Sequence, residues 1–416
     1  MNGERNWAGN LEYRAERVAR PTSLDELREI VRAGGPLRAV GTRHSFNAIA
    51  DTTGTLVSLA DMPREIDVRD GFVRISGGVR YGDVAPALEA EGRALANLAS
   101  LPHISVAGAI ATGTHGSGDA IPSLAAAARS VTFLTAAGDE VTLSRGDADF
   151  GGAAVHLGAL GVVTEVELDT EPTYEVEQHV FDAPRWDAIL ADYDAVTSLG
   201  DSVSLFTTWR SAETADQLWV KRRASRGPFD AAGAERLGAT AADGPRHPIP
   251  GVDPAACNEQ GGVAGPWLDR LPHFRLDFTP SVGEELQSEF LLPREHAADA
   301  IRAVLAIADA ISPLLFVCEI RTVAGDETWL SPSSHRDSIA LHFTWHRDEQ
   351  AVRGVLPTLE AALVPFAARP HWGKVFTMPG ADVAALYPRL DDFRELRRAM
   401  DPDDRFQNDF TRALEL

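Results

Sequence analysis

The sequence predicts an α+β protein built as two domains, and three observations carry that prediction. A chain of 416 residues that is 44% hydrophobic has apolar surface for two domains' worth of core. Its first part alternates short strands and helices among many glycines as far as Glu171-Pro172. Beyond that pair come strands rich in Val, Phe, Thr and Trp, followed by helix, strand, strand, helix, an α+β order.

Taken in order, Ser23-Leu24-Asp25-Glu26 has the form of a capping box, opening a helix that Gly34-Gly35 ends. Leu37–Val40 is a strand that stops at Gly41. Residues 54–58 and Phe72–Ser76 are further strands, and residues 81–91 form a helix with Ala, Leu and Val on one face. Residues 131–135 and 140–143, joined by Ala136-Ala137-Gly138-Asp139, read as a hairpin, and a strand over 162–168 closes the region. After the boundary, 203–209 and 217–221 are strands. Residues 225–266, dense in Gly, Pro and Ala, read as an ordered surface loop or a disordered one. Helices over 293–311 and 349–368 flank a strand pair at 314–322 and 338–345. An amphipathic helix, Leu390–Met400, is stopped by Asp401-Pro402. The domains expected are thus residues 1–171, 172–370 and a closing segment, 371–416.

A net charge of −22 opposes binding to nucleic acid or anionic membrane and makes a neutral substrate easier to supply than an anionic one. Cys257 and Cys318 are too few for a disulfide framework and read as small buried residues. The start, Met1-Asn2-Gly3-Glu4-Arg5-Asn6-Trp7, lacks the apolar stretch of a secretory signal, and no segment is long and uncharged enough to span a bilayer. A cytoplasmic, soluble monomer is expected.

Gly113-Thr114-His115-Gly116-Ser117-Gly118 is not placed between a strand and a helix, which argues against a Rossmann dehydrogenase. The twelve histidines show no metal-ligand spacing, so no metal is expected. The segment Gly41-Thr42-Arg43-His44-Ser45-Phe46-Asn47 follows a strand and leaves backbone amides free to meet phosphate oxygens, although alone it also reads as a polar turn. A second Gly-, Ser- and Thr-rich segment, Ala99-Ser100-Leu101-Pro102-His103-Ile104-Ser105-Val106-Ala107-Gly108, runs on to Thr112 through Gly118. Two such loops can line a pyrophosphate from opposite sides. Glu319 and Arg321 alternate along a strand and so share a face, as do His342 and Thr344 on its expected neighbour. An ion pair on a sheet surface is the bland alternative.

With these loops go Asn6-Trp7-Ala8-Gly9-Asn10, Leu157-Gly158-Ala159-Leu160-Gly161-Val162-Val163-Thr164, Cys318-Glu319-Ile320-Arg321-Thr322 and His342-Phe343-Thr344-Trp345. Arg369-Pro370-His371-Trp372-Gly373-Lys374 and Asp401-Pro402 with Phe406-Gln407-Asn408 complete the series. In that order, and over nearly the whole chain, the motifs resemble the vanillyl-alcohol-oxidase superfamily of FAD enzymes, and within it the branch that oxidises alditols.

The resemblance implies a two-domain vanillyl-alcohol-oxidase-type fold, with an FAD-binding domain and an α+β substrate domain, and a tail that returns to the first. It implies FAD held covalently through His44. Some members of the superfamily add a Cys tether from the second loop; this chain has no Cys there, so a single attachment is expected. Ala39, Val40, Gly41, Thr42, Arg43, Ser45, Ser100, Ser105, Gly108, Thr112, Gly113, Thr114, His115, Val163 and His371 would contact the cofactor. Ser100, Glu319, Arg321, Thr344 and Lys374 would surround the substrate, with Glu319, Arg321 and Lys374 catalytic and His342 supporting them. The implied reaction oxidises the terminal primary hydroxyl of a polyol such as xylitol or sorbitol to the aldose, with O2 reduced to hydrogen peroxide. A sugar-1,4-lactone oxidase or dehydrogenase shares the His-Ser loop, the Glu-x-Arg pair and the His-Trp-x-Lys tail and is the alternative. A flavin-binding protein without turnover is a third reading, against which Glu319, Arg321 and Lys374 argue.

Overall fold

A computed structural model describes residues 4–278 and 284–416, so Met1, Asn2 and Gly3 of the expected signal-free start lie outside the described residues. The chain opens on a three-stranded parallel sheet in which Thr55–Ser58 runs between Arg17–Ala19 and Leu37–Val40. Helix Leu24–Arg32 buries Leu27, Ile30 and Val31 beneath it. The Ser23 hydroxyl accepts from the Glu26 amide at 3.2 Å, as the capping box requires. Its reciprocal half differs, because the Glu26 carboxylate accepts from the Thr22 amide at 2.8 Å instead.

Five antiparallel strands follow in the order Ile66–Arg69, Phe72–Ser76, Val162–Asp169, Ala128–Leu134, Glu140–Ser144. Alternate residues such as Val73, Ile75, Val131, Phe133, Val166 and Leu168 point into a core shared with helices Tyr81–Ala90 and Val106–Ala111.

The second assembly is a nine-stranded antiparallel sheet whose centre carries Ser202–Thr207, Leu315–Val323, Ser338–His346 and Glu285–Pro293, in that order. Its two faces are separated by the period of the strand. Leu205, Cys318, Ile320, Leu341, Phe343, Leu286, Phe290 and Leu292 pack under helices Ala297–Leu305 and Glu349–Leu363. The residues between them, Glu319, Arg321, His342, Thr344, Gln287 and Glu289, face the other way and line a cavity.

Three expectations are corrected here. The helix expected over 293–311 is a strand ending at Pro293, a helix over Ala297–Leu305 and a separate turn, Ala308–Ile311. Pairing of the strand with both Ser338–His346 and Arg369–Pro370 overrides the local helical pattern. The helix expected over 349–368 ends at Leu363, where Val364–Phe366 tightens into a 3-10 turn. The stretch 225–266 is mostly loop but contains helix Ala232–Arg236 and two short segments, Thr240–Ala241 and Gly265–Pro266, that join the sheet at Glu175–Asp182.

The tail returns to the first sheet. The Leu37 amide donates to the Arg405 carbonyl at 2.8 Å, and Asn408 Nδ2 donates to the carbonyls of Ala48, Ile49 and Asp51. Buried Arg38 donates to the carbonyls of Phe406 and Leu157 at 2.6 Å each, and of Gly158 at 2.9 Å. Cys257 and Cys318 are buried and unbridged. Among the described residues no helix is long and apolar enough to cross a membrane, and no group of acidic, His and Cys side chains is arranged to hold a metal ion.

Candidate active site

One cavity of about 930 Å³ runs between the two assemblies and is walled by both glycine-bearing loops and by the polar face of the large sheet. Its volume is near the top of the range of small-molecule sites.

The first loop leaves strand Leu37–Val40 at Gly41, where an added Cβ would lie 2.1 Å from Ser105 Oγ. Only glycine allows the two loops to cross so closely. Thr42 Oγ1 accepts from the Ser105 amide at 3.1 Å and stands 3.1 Å from His44 Nδ1. Arg43 turns with φ of 65°, its carbonyl accepts from the Trp7 amide, and the Trp7 ring stacks on His44 at 5.2 Å between centroids. Burial, with Lys374 nearby, pushes the His44 imidazole down to about 4, so the ring is neutral near pH 7. The Phe46 amide donates to the Gly373 carbonyl, and Asn47 Nδ2 to the carbonyls of Trp372 and Lys374, tying the loop to the His371–Lys374 turn.

The polar face is organised by register. Glu319, His342 and Glu289 sit directly opposite one another across three strands, and Phe206 pairs with Glu319 on the fourth. Arg321 lies between the carboxylates: its Nη2 donates to Glu289 Oε1 at 2.9 Å and its Nη1 is 3.3 Å from Glu319 Oε2. Glu319 Oε1 also accepts from Ser204 Oγ at 2.7 Å and His273 Nε2 at 3.0 Å. Glu289 has His115 Nε2 at 3.2 Å and His342 Nδ1 at 3.3 Å, neither aligned for a hydrogen bond. Lys374 Nζ donates to Gln287 Oε1.

The side chains of Glu319 and Arg321 are each 7% exposed and that of Glu289 is 2%, so their charge states follow from mutual pairing. Burial would raise both carboxyls. Arg321 and His273 outweigh it at Glu319, and His115, Arg321 and His342 outweigh it at Glu289, holding both well below the usual carboxylate range. Burial lowers Lys374 to about 8, against the pull of Glu289, and keeps His342 and His371 below the ordinary imidazole value. The result is a fixed anion–cation–anion row beside His342 and His371, whose imidazoles burial keeps neutral.

Ala39, Val40, Gly41, Thr42, Arg43, His44, Ser45, Ser100, Ser105, Gly108, Thr112, Thr114, His115, Val163 and His371 all line this cavity, as do Glu319, Arg321, Thr344 and Lys374. Gly113 does not. It turns with φ of +68° against Pro332, where it shapes the loop from behind. Glu289, Gln287, His273, Ser204 and Lys221 were not singled out from sequence. For Glu289 and Gln287 a signal was available, since Glu285-Leu286-Gln287-Ser288-Glu289-Phe290 alternates as a strand does. His273 sits in an irregular loop with no local signal. The wall fits a flavin dinucleotide: Gly41 brings the first loop against the Ser105 side chain of the second with no Cβ between them, and the sealed Arg321 Nε, His115 Nε2 and His342 Nδ1 have unused hydrogen-bonding capacity.

Comparison with known proteins agrees in kind. Residues 15–144 match the family described as FAD binding domain, and residues 284–414 match D-arabinono-1,4-lactone oxidase. The chain is 50% identical over 414 residues to an alditol oxidase of Streptomyces sp., covering 98% of both chains. It is 30% identical to an L-gulono-1,4-lactone dehydrogenase of Mycobacterium tuberculosis, again over 98% of both. A solvent-stable cholesterol oxidase superposes with a TM-score of 0.76 at 14% identity, covering 100% of this chain and 97% of the other, which speaks for the fold alone.

Proposed function

The chain belongs to the alditol oxidase family of FAD-linked oxidases, and from that premise we propose that it oxidises the terminal primary hydroxyl of an open-chain polyol to the aldehyde. The observation that carries this reading is the convergence of the His44 loop and the Glu319–Arg321–Glu289 row on one cavity.

Residues 1–171 are read as the FAD-binding part, 172–370 as the substrate part and 371–416 as the returning segment. The neutral His44 ring, held between Trp7 and Thr42, is suited to a single covalent attachment of the flavin. Bound FAD would supply the two-electron acceptor for hydride from the substrate carbon, with O2 as final acceptor and hydrogen peroxide as product.

Each residue then has a part fixed by its surroundings. Arg321 and Lys374 supply positive charge to a hydroxyl that is losing its proton, which is worth most in a site closed to water. Glu319 orients Arg321; with Ser204, His273 and Arg321 already on its oxygens and its pKa depressed, it is a poor proton acceptor near pH 7. His342 is better placed. Its Nδ1 faces Glu289, which favours the Nδ1–H form and leaves Nε2, which makes no hydrogen bond among the described residues, to take the proton. Ser100 and Thr344 are read as partners for the remaining hydroxyls. A cytoplasmic monomer is the accompanying reading, since a charge of −22 keeps copies apart and two unbridged thiols suit a reducing compartment.

Peroxide release from xylitol, sorbitol, glycerol and a galactonolactone at equal concentration tests the proposal, with products identified by chromatography. Xylitol or sorbitol should be fastest, giving the aldose, and glycerol slower because it lacks the distal hydroxyls. A lactone as the fastest substrate overturns the reading in favour of a lactone oxidase.

A further inference from the structure

Behind the Glu319 carboxylate lies a buried cation that the oxidation itself does not use. Lys221, on strand Gln217–Arg223, is 2% exposed, and its ammonium has all three protons engaged: Leu271 O at 2.6 Å, Pro272 O at 2.8 Å and His273 Nδ1 at 3.1 Å. An ammonium can only donate, so Nδ1 of His273 must accept, and the ring's single proton belongs on Nε2. That nitrogen is 3.0 Å from Glu319 Oε1. The ring packs in T-shaped contact with Phe206 and Trp219, at 5.6 and 5.4 Å between centroids. Its loop is pinned by Asn258 Nδ2 on the Pro272 carbonyl at 2.8 Å and by the Asn258 amide on the His273 carbonyl at 3.0 Å.

We propose that Lys221 and His273 are positioning residues for the oxidation: Lys221 locks His273 in the Nε2–H tautomer, and His273 thereby holds Glu319 as a fixed anion facing Arg321. The consequence is directional. With the Nε2 proton in place, Oε1 is held by His273 as well as by Ser204 and Oε2 is left for Arg321, so the guanidinium is fixed toward the reacting hydroxyl. Without it, Glu319 can rotate or take a proton, and Arg321 loses one of its two anchors. The surroundings support the neutral imidazole, because burial lowers His273 to about 4; burial also lowers Lys221, to about 7 against the pull of Glu319, so the lock holds below that pH, where the ammonium prevails, and loosens above it.

The inference rests on the polyol-oxidase reading, and the test separates the two. In wild-type protein labelled with 15N-histidine, the His273 signals, assigned by their loss in His273→Gln, should show an unprotonated Nδ1 and a protonated Nε2. Lys221→Met should redistribute the proton between them. In flavin-loaded enzyme, His273→Phe should lower kcat with xylitol roughly 10- to 100-fold, the value of a hydrogen bond to a buried charge, with a smaller change in KM. His273→Gln, whose amide can accept from Lys221 and donate to Glu319, should recover most of that loss. A purely structural pair predicts a lower melting temperature with kcat within about threefold of wild type. That outcome, or a protonated Nδ1 in the wild-type protein, overturns the proposal. If the wild-type enzyme does not oxidise polyols, the functional reading fails, and the tautomer measurement still decides the lock.

Discussion

Arg321 makes two charged contacts at once, and its removal should act on activity and stability together. Arg321→Ala deletes one of the two positive charges proposed to face the oxyanion, so flavin reduction by xylitol should slow by at least about 100-fold in stopped-flow measurements. It also leaves Glu319 and Glu289 buried without their shared cation, a loss of about 3–5 kcal/mol that thermal or urea melting would register. A protein that loses turnover but melts normally would mean that the two carboxylates find other partners. At His44 the expectation is chemical: wild-type protein keeps its flavin through acid precipitation, and His44→Ala releases it to the supernatant. Flavin released by the wild type would rule out the covalent link. Lys374, with its pKa near 8, must keep its proton to stabilise negative charge, so kcat/KM should fall as pH rises through about 8. Lys374→Met should be slow throughout and lack that alkaline limb.

At the scale of the element, the reading from sequence was strongest where the chemistry is local. A strand's period of two is enough to place Glu319 with Arg321, and His342 with Thr344, on the face away from Cys318, Ile320, Leu341 and Phe343. What the period cannot give is the neighbour. Glu289 comes opposite His342 only because Glu285–Pro293, taken for the start of a helix at its end, pairs with a strand about fifty residues later. Nothing near either segment specifies that pairing. His273 is harder still, since an irregular loop brings it to Glu319 through contacts with Lys221 and Asn258. The tail was legible as helix Leu390–Met400 and its Asp-Pro stop, and its return to the first domain through the resemblance carried by Phe406-Gln407-Asn408, but the hydrogen bonds that anchor it were not. Asn408 supplies the anchor by donating to three carbonyls while accepting from the Thr411 amide. Asn408→Ala should cost about 1–3 kcal/mol, read as a lower denaturant midpoint, because the carbonyls it serves are buried. An unchanged midpoint would show that other contacts, among them Arg38 on the Phe406 carbonyl and the Leu37 amide on the Arg405 carbonyl, hold the tail without it.

Across the whole molecule, buried charge ties stability to pH in two steps. His273 is neutral in the fold, with its pKa lowered from 6.5 to about 4, so the unfolded chain binds a proton that the fold refuses as pH drops through that window. Stability should therefore begin to fall below about pH 6.5. Glu289 and Glu319 act further down. Their folded pKa values lie under the ordinary 4.5, so their contribution is complete above that pH and disappears as acid approaches the lower folded values. Melting temperatures from pH 8 to 3 should show both declines, and Glu289→Gln should start lower at pH 7 but lose less below pH 4.5. The placement of the charged row has another consequence. Glu319, Arg321, His342 and Glu289 stand in the middle of a sheet, on backbone fixed by neighbours on both sides, whereas part of the cavity wall, His247, Pro248, Ile249 and Val252, belongs to a loop. On the proposed function, reactivity would belong to the sheet and selectivity to the loop, parts of the chain that can vary separately. Random mutagenesis confined to residues 244–256 should change which alcohols are accepted far more readily than whether alcohols are oxidised, which makes this loop the natural starting library for directed evolution.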